Sequence, residues 1–256
     1  MTLTIARQMF SAEVLKLRRQ RPLMAFAGLL TVGVVVIFMG YLQIRHASNS
    51  QYAPAGGLLG FQHMLRALGI LFGGLAAILI GTEAGTADLS SGVFRDLVAT
   101  GRSRLALFAV RAPAAIAVTL AFSGAAFLIG LLATFLFAGG GPTPSLSLVL
   151  QGAGWIALAT SITAALAVAV GSLTGSRGVT LTAVIGWQLV ATQILVSVSS
   201  LGSVRNVLLT PALAQLVPIG QGVGVVMSTA TAVIVLAGWA VVPALVGAWR
   251  TKVTDA

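Results

Sequence analysis

Six apolar runs dominate the sequence, near residues 23–42, 67–82, 112–136, 148–171, 179–199 and 226–248. A bilayer core about 30 Å thick is crossed by roughly 20 apolar residues in an α-helix, so these runs predict six membrane spans. Composition points the same way. Only 8% of the residues are charged, whereas a soluble domain needs about 25% to present its surface to water. The expected fold class is therefore an all-α membrane protein of six transmembrane helices, one domain over residues 1–256. The first run is longer than the roughly 7–15 residues of a signal-peptide core, and it is read as a retained span. The chain has no cysteine, which excludes disulfides and cysteine-ligated metals and removes any clue to redox compartment.

The net charge of +10 is best read by position. With the N-terminus in the cytoplasm, Arg7, Lys16, Arg18, Arg19, Arg21, Arg95, Arg102, Arg104, Arg111, Arg177, Arg250 and Lys252 all fall on the inner side. Arg45, Arg66 and Arg205 fall outside or near it. Such a bias orients a membrane protein by the positive-inside rule, and an even span count then returns the C-terminus to the cytoplasm. The basic residues are thus assigned to topology and to the lipid bilayer, and no nucleic-acid partner is expected. The predicted location is the cell inner (plasma) membrane, multi-pass, with both termini cytoplasmic.

Two polar segments need separate physics. In residues 1–22, Leu3, Ala6, Phe10, Val14 and Leu17 recur at helical spacing beside five basic residues. That pattern predicts an amphipathic helix lying in the cytoplasmic headgroup layer; a plain basic topogenic tail is the alternative. Residues 83–104 form the one long polar stretch inside the chain, a predicted cytoplasmic loop. Within it Val93, Phe94, Leu97 and Val98 cluster on one face of a short helix, opposite Ser91, Arg95 and Asp96. Such a face docks on headgroups or in a partner's groove. Residues 200–222 carry Pro211 and Pro218 among apolar residues and predict a partly buried or re-entrant stretch.

Several chemistries find no support. The only lysines, Lys16 and Lys252, follow no glycine-rich loop, so no Walker A phosphate site is expected. Gly220, Gly222 and Gly224 lack the strand and the spacing of a dinucleotide fingerprint. His46 and His63 have no neighbouring carboxylates to complete a metal site. No carboxylate is placed clearly inside a span, although Glu83 lies at a span end. Ion-coupled carriers usually hold titratable groups there, so any transport is expected to draw its energy from another subunit.

From Asp88 the chain reads DLSSGVFRDLVATGRSRLALFAVR. This resembles the loop after the second span of ABC-2 type transporter permeases, the membrane subunits of a class of ABC exporters. Asp88 matches the family's acid, Gly92 its glycine, Leu97-Val98-Ala99 its apolar stretch and Ser103-Arg104 its Ser-Arg. Arg111 stands where the family has a lysine, while Val93 and Gly101 replace its threonine and proline. Residues 12–19 (AEVLKLRR) resemble the family's entry helix. The resemblance implies a permease half that pairs with a second permease copy, homodimeric or heterodimeric. It also implies a separate ABC ATP-binding subunit, which would hold the ATP and Mg, so this chain itself is no enzyme. Residues 83–104 would be the cytoplasmic coupling loop. Asp88, Gly92, Val93, Phe94, Arg95, Leu97, Arg102 and Arg104 would then couple to the ATPase, with Arg95, Arg102 and Arg104 either pairing with its carboxylates or serving as positive-inside anchors. A secondary carrier, a channel or a non-transporting sensor subunit are the alternatives.

Inside the spans, Gln62, His63 and Arg66 are candidates for a substrate path. An arginine at the bilayer centre costs about 2.5–3.5 kcal/mol on insertion scales, but near a span end it can snorkel to the interface. In span five Trp187, Gln188 and Thr192 could line a path or bond between helices. The pairs Gly69/Gly73, Gly81/Gly85 and Gly171/Gly175 predict close helix approach.

Overall fold

The structure is a computed structural model that describes residues 3–99, 101, 103–219 and 227–253; the side chains of Leu3, Phe94 and Arg95 are not among those described. All regular structure among these residues is helical. Helix α1 covers Leu3–Arg19. Among the described residues six helices are long and apolar enough to cross a membrane: α2 Arg21–Ser48, α3 Gly57–Ser90, α5 Arg104–Leu136, α6 Leu146–Thr174, α7 Arg177–Ser197 and α9 Thr229–Val253. Between α3 and α5 lies the two-turn α4, Val93–Ala99. Between α7 and α9 lie a 3₁₀ stretch, Ser199–Val207, and the short α8, Leu209–Gln215. The chain is thus an all-helical protein with six candidate membrane-spanning helices, the form of a multi-pass membrane protein.

Two helices sit at the centre. In their most apolar windows 61% of α3 and 67% of α6 is buried, against 28% of α2, 22% of α7 and 17% of α9. The peripheral helices present Ile37, Ile44, Leu128, Leu136, Ile234 and Leu245 outward. An apolar belt of that kind suits lipid and not water. The α3–α6 seam depends on glycine. A Cβ at Gly85 would stand 2.6 Å from the Val168 carbonyl oxygen and 3.1 Å from Gly171 Cα, so only a bare backbone lets the helices approach this closely. The Gly81 and Gly171 expectations are met on the same seam. Gly69 instead makes room for the Trp155 ring, and Gly175 closes α6 in a left-handed turn.

The helices outrun the apolar runs that announced them. Span two was expected over 67–82, yet α3 is continuous from Gly57 to Ser90, about 50 Å at 1.5 Å per residue. The expected loop 83–104 accordingly loses its first eight residues to α3. An apolar-run criterion stops at Glu83, but Ala84-Gly85-Thr86-Ala87 holds no proline and the backbone stays helical. The real break is Gly92, whose φ of +76° is a conformation that favours glycine. Helix α5 then restarts at Ser103, whose Oγ accepts the Ala106 N–H at 3.2 Å, a standard N-cap. Three spans contain a π-helical turn that no periodicity announced: Leu29–Gly33 in α2, Ala67–Leu71 in α3 and Gly186–Ala191 in α7.

Residues 208–214 fold back into the bundle, whereas Ser199–Val207 has no buried residue. Leu209–Ala214 are buried, and two indoles hold the segment. Trp155 Nε1 of α6 donates to the Leu213 carbonyl at 2.9 Å, and Trp239 Nε1 of α9 donates to the Val207 carbonyl at 2.8 Å. These bonds satisfy backbone groups that a bilayer could not. Gly220, Gly222 and Gly224 lie outside the described residues.

Candidate functional site

The most distinctive chemistry lies where α1 meets the ends of α3, α5 and α7. Asp88, 6% exposed near the end of α3, accepts from Lys16 Nζ of α1 at 2.9 Å. It also accepts from Arg111 Nη2 of α5 at 3.1 Å. Lys16 further pairs with Glu13 at 2.6 Å. Arg111 is 1% exposed, a guanidinium that burial would penalise heavily without a fixed anion. The group holds two acids and two bases, so its formal charge is zero, which is what allows it to be buried.

A second pair lies one turn and a half up the same helix. Glu83 accepts from Gln20 Nε2 and pairs with Arg177 Nη1 of α7 at 3.3 Å. At about 100° per residue, five positions rotate a side chain by about 140° net, so Glu83 and Asp88 face different neighbours. One carboxylate ties α3 to α7 and the other ties it to α1 and α5.

This corrects two expectations. A carboxylate buried in a span was not expected, yet Glu83 and Asp88 are both buried within α3. Asp88 was assigned to the polar loop, whereas it belongs to the helix. The cause is the same in each case: the basic partners come from α1, α5 and α7, so the carboxylates can be buried only in the assembled bundle. Sequence reasoning missed Glu13, Lys16, Gln20, Glu83 and Arg177 as members of a site. The available signal was that Glu83 and Asp88 fall at the end of an apolar run facing several basic segments.

Helix α4 follows directly on this cluster. Gly92, Val93 and Asp96 are exposed and Leu97 is half-buried. Phe94 and Arg95 lie on α4, and Arg102 lies outside the described residues. Arg104 opens α5 and is half-buried. Among the described residues expected to couple, Gly92, Val93 and Leu97 lie on or beside α4 and Arg104 opens α5, while Asp88 faces inward.

The expected path residues separate into three places. His63 and Arg66 share a groove of about 570 Å³ with Val34 and Phe38 of α2; the Phe38 and His63 rings meet edge to face at 6.2 Å. Gln62 lines a different cavity, with Leu58, Pro142 and Ile219. Trp187, Gln188 and Thr192 gather at the π turn of α7, where Thr192 Oγ1 donates to the Trp187 carbonyl at 2.8 Å. Gln188 and Thr192 are buried, and Trp187 stacks obliquely on Trp239 at 6.3 Å. Of the three, Trp187 meets α9 through Trp239, and none of them lines the groove around Arg66.

The fold and this geometry define a class, a multi-pass helical membrane protein with a neutralised charge cluster at one end. The chain matches no family model and no curated protein.

Proposed function

We propose that the chain is the membrane-spanning permease subunit of an ATP-driven exporter of the ABC-2 type, with both termini cytoplasmic. It forms the substrate path together with a second permease copy and takes its energy from a separate ATP-binding subunit. The observation that carries this reading is the placement of α4. A short helix with an exposed flank stands between two long spans, immediately beyond a buried ion-pair junction of α1, α3 and α5. Asp88 lies five residues before Val93, across the Gly92 turn, and its pairs join α3 to α1 and α5. Coupling needs such a stiff joint, since packed and hydrogen-bonded elements transmit displacement that a loose loop absorbs.

In this reading α1 lies at the cytoplasmic headgroups, Val93, Phe94, Arg95, Leu97, Arg102 and Arg104 meet the ATPase, and Gly92 supplies the turn that presents them. ATP and its Mg²⁺ belong to the partner. Lys16, one of the two lysines, is already engaged by Glu13 and Asp88.

The test is a pair of single substitutions on α4. Leu97→Glu and Val93→Glu should each reduce co-purification of the ATP-binding subunit by at least about tenfold, since a buried unpaired carboxylate in a docking groove costs more than about 1.4 kcal/mol. The amount of chain in the membrane should stay at wild-type level. Undiminished complex in both variants would refute the coupling role of α4.

A further inference from the structure

We infer that the groove bounded by α1, α2 and α5 is a binding site for an anionic phospholipid, its phosphate on Arg18 and one acyl chain along Met24, Ala121 and Phe122. The inference rests on the placement of α1 at the headgroups and needs no ATP-binding partner. The groove encloses about 580 Å³, within the range of about 300–1,000 Å³ typical of small-molecule sites. Phe10, Val14 and Arg18 of α1 form one wall, since residues four apart share a helix face. Met24 of α2 and Ala121 and Phe122 of α5 form the others. The arginine is held in place by its neighbours in the chain. Leu17 is fully buried in a cluster with Leu23, Ala115 and Val118, and Lys16 is tied to Asp88 at 2.9 Å. With these two residues fixed, Arg18 is presented to the groove at little further ordering cost.

Depth gives the groove its polarity. Residues 22–44 carry no charge between Arg21 and Arg45, about 34 Å at 1.5 Å per residue, enough to cross a hydrocarbon core about 30 Å thick. Arg18 and Arg21 therefore stand at one membrane boundary. Phe122 lies against α2 further in, since a Cβ at Gly28 would meet its ring at 3.4 Å, and Gly28 is about 10 Å past Arg21 along the helix. The groove thus leads from a guanidinium at the headgroups into the hydrocarbon. Ala121, exposed on its flank, leaves it open to the bilayer. Charge selects the headgroup. Among the described residues no acid lines the groove and no ion pair engages Arg18. Glu13, the one acid of α1, is paired with Lys16 on another face, about 140° from Arg18. Arg19 and Arg21 are exposed nearby and add to the positive field, which favours a phospholipid of net negative charge over a zwitterionic one.

The test uses the purified full-length chain in phosphatidylcholine nanodiscs, with phosphatidylglycerol carrying a diazirine in one acyl chain as probe and mass spectrometry to locate the label. Label is expected at Met24, Ala121 and Phe122. Unlabelled phosphatidylglycerol should displace it, and neither added phosphatidylcholine nor inorganic phosphate should. Arg18→Gln should lower this labelling about fivefold, the effect of one basic residue at an anionic surface, and Arg18→Lys should retain most of it. Lys252→Gln removes an exposed cation at the end of α9, outside the groove, and should leave the label near its wild-type level. Ala121→Trp fills the groove from an exposed position, keeps the charge and should abolish the label at Met24 and Phe122. Label spread evenly over the outer helices, unchanged in Arg18→Gln, or lowered as much by Lys252→Gln, would overturn the site in favour of general attraction to basic residues. Displacement by inorganic phosphate would overturn the lipid assignment, and ready disulfide formation between Ala121→Cys chains would seat a second copy in the groove instead. Absence of groove label in a chain that still co-purifies an ATP-binding subunit would overturn the lipid site alone.

Discussion

Asp88 and Arg111 illustrate how much of this bundle rests on a few charges. Among the described residues Arg111 is the bulkiest fully buried side chain, and Asp88, Lys16 and Glu13 complete a set of zero formal charge around it. Removing one member of a buried pair leaves an uncompensated charge at a cost of about 3–5 kcal/mol. Asp88→Asn should therefore lower the thermal unfolding temperature of the detergent-purified chain severely. Arg177→Gln removes a partner that is 53% exposed and leaves Glu83 its Gln20 contact, so it should lower the unfolding temperature less than Asp88→Asn. Equal unfolding temperatures for the two variants would show that the Asp88 cluster is not the buried joint described above. The charges themselves were legible in the sequence, and so was the oddity of Glu83 at a span end. Their pairing was not, because Lys16, Arg111 and Arg177 come from three helices whose order around α3 no local pattern encodes.

Among the elements, the α3–α6 seam is where helix approach is least tolerant. Gly85→Ala puts a methyl against the Val168 carbonyl oxygen, and overpacking of that kind costs about 1–3 kcal/mol. Gly154 lies on the same α6, and a methyl added there would meet no neighbouring heavy atom within 4 Å. Gly154→Ala should therefore be neutral or stabilising by up to about 1 kcal/mol through helix propensity. Size-exclusion profiles after graded heating would rank the two against wild type. A Gly85→Ala protein as heat-resistant as Gly154→Ala would mean the seam is looser than its geometry. The existence of all six long helices, the short α4 and the buried part of the 200–222 stretch could be read from apolar runs and prolines. Helix ends could not, since a helix continues past the hydrocarbon wherever no breaker intervenes, as at Glu83–Ser90. The π turns leave no mark in composition or spacing at all.

At the scale of the whole molecule, the proposal makes the α1 end cytoplasmic, since most basic residues gather there. The cysteine-free sequence makes this simple to check with single cysteines and a membrane-impermeant maleimide. Gln51→Cys, in the exposed turn between α2 and α3, should label in intact cells. Ala99→Cys, at the end of α4, should label only after the membrane is opened. The reverse pattern would invert the topology and remove α4 from any cytoplasmic ATPase.

Whether this chain works with a separate ATP-binding subunit is decided by affinity purification from its native cells in mild detergent, with mass spectrometry of the bound proteins. An ABC ATP-binding subunit should be recovered in stoichiometric amount, alongside a second permease that is either this chain or a relative of it. A chain that repeatedly purifies alone, from cells whose other ABC complexes survive the same procedure, would overturn the exporter reading and favour a self-contained carrier or channel.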